Sequence, residues 1–240
     1  VQKALLNKSI KLCLWCCLLF IAIPFGIYFT AFLPLTTLPH NRYDVFGRFI
    51  AYQTHMYNYH STLQATHPFE SPWYQWPFDI RNVWYYGNYS ADSEGHIRTI
   101  SVLGNPLFFW ACVPATVYAF VKAVKRQSCT ALICVIGFLS AYLPWVLVPR
   151  CTFIYHYFTA VPFILIALLI AYQRLEETAS LRRVVFTKGA VTLTVGRILL
   201  LACVLVHILM FIAFYPVLTG TLTTQNYANA LEWLPSWFFI

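Results

Sequence analysis

Five apolar runs constrain this chain more than any other feature. They lie near 12–32, 102–120, 129–148, 152–172 and 198–218. Each is long enough to cross about 30 Å of hydrocarbon, which takes roughly 20 helical residues. In lipid, backbone polar groups must be satisfied within their own segment, so such runs become helices. The predicted fold class is an all-α integral membrane protein with about five transmembrane helices. Of the 240 residues only 10% are charged, against about 25% in soluble domains. The first run follows Lys3, Lys8 and Lys11, as a signal peptide would. It is too long for a signal core and has no small-x-small cleavage site, so it is read as a true span.

The net charge of +8 raises nucleic acid as a partner, but the basic residues flank the spans. With the N-terminus cytoplasmic, one side carries Lys3, Lys8, Lys11, Lys122, Lys125, Arg126, Arg174, Arg182, Arg183, Lys188 and Arg197, eleven in all. The other carries Arg42, Arg48, Arg81, Arg98 and Arg150, five in all. This bias predicts a cytoplasmic N-terminus, an external C-terminus and an external loop over 34–101. No nucleic-acid role follows. The eight cysteines sit in or beside apolar runs and form no disulfide or zinc framework, so they read as small packing residues. No repeat or linker divides the chain, which is taken as one membrane domain over 1–240.

The 34–101 loop has its own plan. Phe46, Phe49, Ile50, Met56, Tyr57 and Leu63 recur at close to helical spacing, with polar residues between them. This predicts an amphipathic helix over 43–64 lying in the membrane interface and ended by Pro68. Then comes HPFESPWYQWPFDIRNVWYY, residues 67–86. Pro68, Pro72 and Pro77 forbid a continuous helix there, and Glu70, Asp79 and Arg81 forbid a bilayer span. The predicted structure is a proline-stiffened aromatic elbow. The chain re-enters the membrane at VLGNPLFFW, where Asn105-Pro106 opens the second span.

The stretch MYNYHSTLQATHPFESPWYQWPFDIRNVWYY, then VLGNPLFFW, then YLPWVLVPRCTFIYHYFTAVPF together resemble the C-terminal multi-span region of the protein O-mannosyltransferases. The likeness runs from about residue 43 to about 215. It implies a partial GT-C architecture. It also implies transfer of mannose from a polyprenyl (dolichyl-type) phosphate to Ser or Thr of exported proteins. The donor is a lipid-linked sugar, and no cofactor or metal is expected. Complete family members have about eleven spans and an Asp-Glu catalytic pair in the first external loop. Here the adjacent acidic pair is Glu176-Glu177, on the predicted cytoplasmic side. The resemblance therefore implies no catalytic residue in this chain, and an upstream half of the same enzyme as partner. The 34–101 loop has no room for the large module that eukaryotic members insert, which points to a bacterial plasma membrane. The alternative is a non-catalytic scaffold or lipid-phosphate-binding subunit.

Among candidate site residues, Arg150 lies between the third and fourth spans, and an arginine stands at this place in the family pattern. A guanidinium beside hydrocarbon is costly and suits two-point contact with phosphate. Tyr157, seven residues on, is expected to share its helical face and either donate to the same phosphate or line the lipid groove. His156 is either a packed histidine or part of that site. His60, His67, Ser71, Trp73 and Trp76 match the family's loop pattern, and with Arg81 they form the candidate substrate and acceptor loop. Trp73 and Trp76 are expected to border the acceptor or the mannose. His55, His60 and His67 lack metal-ligand spacing.

Overall fold

The computed structural model describes residues 2–34, 44–89, 95–189 and 191–240. It is predominantly helical, with five helices long and apolar enough to cross a membrane. They run Leu6–Thr30, Pro106–Val124, Cys129–Leu147, Ile154–Glu176 and Val195–Thr219. At most 28% of any of them is buried against protein, so most of their apolar surface is left for lipid. Chain contacts divide the molecule into two compact units, Val1–Leu63 and Gln64–Ile240.

In the first unit, α1 (Gln2–Cys17) passes through a π turn at Leu18–Ala22 into α2 (Ile23–Thr30). The amphipathic helix is α3 (Val45–Thr62). Asp44 caps it, its carboxylate accepting from Gly47 N at 2.7 Å. Phe49 is its buried residue, ringed by Phe25, Tyr28, Phe29 and Phe32 at 5.1–5.9 Å between centroids. Pro68 does not end this helix. The helix stops at Thr62, where the Ser61 and Thr62 hydroxyls fold back on the Asn58 carbonyl and Leu63 turns extended.

The second unit begins with the elbow, whose centre is a 3-10 helix at Trp73–Phe78. Then come two strands that hydrophobic periodicity did not predict, β1 (Val83–Asn88) and β2 (His96–Val102). Because β2 takes the residues up to 102, the second span starts four residues later than expected. That helix is α4 (Pro106–Val124), with Asn105 as its cap. It is followed by α5 (Cys129–Tyr142), which tightens into a 3-10 turn to Leu147. A 3-10 segment Ile154–Ala160 then leads into α6 (Val161–Glu176). Beyond it lie α7 (Ala179–Arg182) and a hairpin of β3 (Val184–Lys188) and β4 (Val191–Thr194), also unpredicted. The last span is α8 (Val195–Thr219). After it, β5 (Thr223–Thr224) joins the sheet in the order β1-β2-β5, and α9 (Gln225–Ala230) precedes the final segment.

The α4, α5 and α6 helices form the tightest bundle. Ala115, Ala119, Ala131, Ala160 and Ala167 are buried along their seams. Small residues at such seams let backbones come close, which matters in lipid, where no hydrophobic force draws helices together. Gly137 of α5 meets the Phe163 ring so closely that a Cβ there would lie 2.1 Å from it. Cys112 and Cys134 are buried in this bundle, as packing residues would be, whereas Cys13, Cys16, Cys17, Cys129 and Cys203 are exposed on their helices.

Candidate functional site

The elbow reaches its shape because aromatic donors replace the helical ladder that its prolines forbid. Trp76 Nε1 donates to the Ser71 carbonyl at 3.1 Å and to Ser71 Oγ at 3.0 Å. Tyr142 of α5 donates to the Trp73 carbonyl at 2.7 Å, and Trp110 of α4 to the Phe78 carbonyl at 2.8 Å. Trp237, near the chain's end, donates to the Asp79 carbonyl at 2.7 Å. Irregular backbone beside a membrane persists only where its polar groups find partners in protein, and here indole and phenol groups supply them.

A second set of bonds ties the elbow to the segment between the third and fourth spans. Ser71 N donates to the Thr152 carbonyl at 2.8 Å, and Thr152 Oγ1 donates to the Ser71 carbonyl at 2.9 Å. This clasp brings residues 65–73 against residues 145–152 and leaves a hollow of about 410 Å³ between them. Thr66, Glu70, Ser71, Trp73, Trp145, Arg150 and Thr152 line it. Arg150 is half-buried at its edge. Among the described residues it makes no hydrogen bond or ion pair, so its guanidinium is available to a ligand. Glu70 faces the same space, and its Oε2 accepts from His67 N at 3.3 Å.

The site residues expected from sequence separate into distinct groups. Arg150, Ser71 and Trp73 do come together at the hollow. His156 stands just behind it. Its ring lies 4.0 Å from that of Trp145 and is stacked on Trp76 at 5.9 Å, with Nδ1 fixed against the Phe153 backbone. Tyr157 departs from expectation. No continuous helix joins it to Arg150, because residues 151–153 are non-helical, with Phe153 extended, and the span begins at Ile154. The two therefore share no helical face, and Tyr157 is buried among Phe109, Phe138 and Tyr142. Trp76 also departs. At 1% exposure it borders no open site, and it acts as a post inside the elbow.

His67 sits outside the hollow's lining, edge-on to Phe153, its Nδ1 accepting from Phe69 N at 3.2 Å. Arg81 is half-buried away from the hollow, with Nε enclosed and unpartnered. His60 belongs to the first unit, exposed on α3 with its ring against Tyr59. No group of three or more metal-ligating side chains occurs among the described residues.

Sequence reasoning passed over Thr152 and Trp145, and it placed Asp79 in the elbow without its burial. The first two are given away only by their pairing with the elbow, which spans about eighty residues of chain. Asp79 ends the 3-10 helix in a left-handed conformation, φ 53°. It is fully buried, with Oδ1 accepting from Gly104 N at 3.2 Å and Oδ2 unpartnered. Burial pushes its carboxyl up to about 7, with the Gly104 bond working against the rise. Enclosed in this way, it does not open onto the hollow.

A family model described as the C-terminal four TMM region of protein-O-mannosyltransferase matches residues 45–237. The chain belongs to the protein O-mannosyltransferase family. Four of its five spans fall inside the matched residues, and Leu6–Thr30 precedes them. A polyprenol-phosphate-mannose–protein mannosyltransferase of Mycobacterium tuberculosis is 24% identical over 195 residues, 78% of this chain and 36% of the relative. The Mycolicibacterium smegmatis protein of the same name is 25% identical over 242 residues, 90% of this chain and 45% of the relative. Protein O-mannosyltransferase 1 of Drosophila pseudoobscura pseudoobscura is 27% identical over 213 residues, 81% of this chain and 23% of the relative. The chain thus spans less than half the length of these curated relatives. Among solved structures, the S. cerevisiae Pmt1-Pmt2 complex bound to the sugar donor shares the fold. Its TM-score is 0.66 at 21% identity, over 84% of this chain and 28% of that one.

Proposed function

We propose that this chain is the C-terminal membrane part of an enzyme that moves mannose from a polyprenyl phosphate to Ser or Thr hydroxyls of exported proteins. In this reading the Arg150 hollow holds the donor's phosphate. The observation that carries the reading is the unpaired Arg150 guanidinium, held at the mouth between two spans beside Glu70, Ser71 and Trp73. The relatives' names supply the donor class. Charge builds on the phosphate as the sugar leaves, and a preplaced guanidinium stabilises it without reorganising. Trp73 and Trp145 offer flat faces to a sugar ring or an acceptor peptide. His156 buttresses Trp145.

The general base lies outside this chain, in an upstream half. The reaction uses no metal, so a chelator leaves it unchanged. The N-terminus is cytoplasmic and the hollow faces outward across a bacterial plasma membrane. A reporter placed at Asp92 or after Ile240 that read cytoplasmic would defeat this orientation.

The experiment is mannosyl transfer from radiolabelled lipid-linked mannose to a Ser/Thr peptide, with this chain co-expressed beside an upstream half. Arg150→Ala should cost about 1.5–3 kcal/mol in transfer, the scale of a charge-assisted hydrogen bond. Arg150→Lys should recover only part, because an ammonium lacks the two-point fork. The chain alone should transfer nothing detectable, since a missing base removes roughly 10²–10⁴-fold. Robust transfer by the chain alone would return attention to Glu70, the carboxylate that opens onto the hollow.

A further inference from the structure

At the opposite end of the α4–α6 bundle from Arg150 lies a second charged surface. The span Ile154–Glu176 separates the two by 23 residues, roughly 34 Å at 1.5 Å per residue. The turn between α4 and α5 brings Lys122, Lys125 and Arg126 to this end, and the segment between α6 and α8 adds Arg174, Arg182, Arg183, Lys188 and Arg197. These parts are close in space, since Lys122 and Arg182 both act electrostatically on Glu177. The acids here are Glu176 and Glu177, and both are engaged. Glu177 binds Arg174 at 2.8 Å and Glu176 lies 4.0 Å from Arg197. Among the described residues, Arg182, Arg183 and Lys188 close no ion pair with a carboxylate.

The β3–β4 hairpin rises from this basic end. All five residues of β3 are exposed, with Val184, Val185 and Phe186 each at half exposure or more. A lone two-stranded hairpin with its apolar side chains in water is at best marginally stable. This one is rooted between two membrane spans, so its height is that of the bilayer surface. Beside its root is a polar hollow of about 360 Å³ lined by Gln173, Glu176, Glu177, Arg182 and Thr194, in which the two carboxylates face Arg174 and Arg197.

We propose that the hairpin and its basic root form a docking surface for anionic phospholipid headgroups. Val184, Val185 and Phe186 dip into the interface, while Arg182, Arg183 and Lys188 bind headgroup phosphates. Clusters of Lys and Arg next to a span bind anionic lipid at about fivefold per residue. The surface would act independently of the Arg150 hollow, as an anchor that fixes the α6–α8 connection.

The test is hydrogen exchange of residues 183–194 in the whole chain, held in nanodiscs of phosphatidylcholine alone or with roughly a third phosphatidylglycerol. Anionic lipid should slow exchange of the hairpin by roughly tenfold or more. The variant Arg182→Gln/Arg183→Gln/Lys188→Gln should lose this lipid dependence while exchange in α4, α5 and α6 stays as in the wild type. Equal exchange in the two discs would overturn the proposal: if slow, protein and not lipid covers the hairpin, and if fast, nothing does. A lipid effect that survives in the triple variant would overturn it as well.

Discussion

Asp79 shows how a single side chain in this protein carries a testable burden. Its carboxyl titrates near 3.8 unfolded and about 7 folded. Between those values the folded state holds the extra proton, so its contribution is fully present below pH 3.8 and is lost as pH rises to about 7. Thermal unfolding in detergent should therefore show a lower midpoint at pH 8 than at pH 5. The loss is bounded at about 4 kcal/mol by the size of the shift. Asp79→Asn keeps an acceptor for Gly104 N and should flatten this dependence, and an unchanged slope in the variant would refute the assignment. The sequence placed Asp79 in the elbow but gave no sign of its burial, which depends on Gly104 and Trp237, residues remote in the chain. The position of Arg150 between two spans was legible because a charge between two apolar runs is conspicuous. The misplacement of Tyr157 came from extending a helix through residues 151–153, where Thr152 instead bonds Ser71 of the elbow.

At the scale of elements, the spans were legible and the strands were not, for one physical reason. A span advertises itself by twenty apolar residues, whereas β2 alternates buried Ile97, Thr99 and Ser101, two of them polar. Thr99 accepts from Trp84 Nε1 at 2.9 Å and donates to the Tyr86 carbonyl at 3.1 Å. Ser101 donates to the Phe238 carbonyl at 3.3 Å. Hydrogen bonds, rather than apolar area, make those positions interior. Residues 231–240 depend on the same logic. Asn82 both accepts from Phe238 N and donates to the Phe238 carbonyl, and Ser236 donates to the Ile80 carbonyl. Asn82→Ala removes the acceptor of the Phe238 amide and leaves the Phe238 carbonyl with Ser101 alone, and should cost about 0.5–1.5 kcal/mol for each bond lost. Hydrogen exchange should show residues 231–240 loosening first. Within the bundle, Gly137→Leu drives a side chain into Phe163 and should lower the unfolding midpoint more than Leu139→Ala, a substitution that removes atoms instead of adding them.

At the scale of the whole molecule, the chain is an integral membrane protein of the protein O-mannosyltransferase family, and residues 45–237 match the family's C-terminal four-span region. It covers less than half of its curated relatives, and the division of labour proposed for it follows from that fraction. The elbow clasps the loop between the third and fourth spans and holds one cation free at the membrane's edge. In that proposal, chemistry on the acceptor hydroxyl is left to residues elsewhere. The central claim is that Arg150 holds a lipid-linked phosphate, and equilibrium binding of radiolabelled polyprenyl phosphate mannose to the purified chain tests it most directly. The wild type should bind, weakly, and Arg150→Ala should bind about ten- to a hundredfold more weakly. Lys188→Gln, at the other end of the bundle, should leave the affinity unchanged. Equal affinity for the wild type and Arg150→Ala would contradict the account.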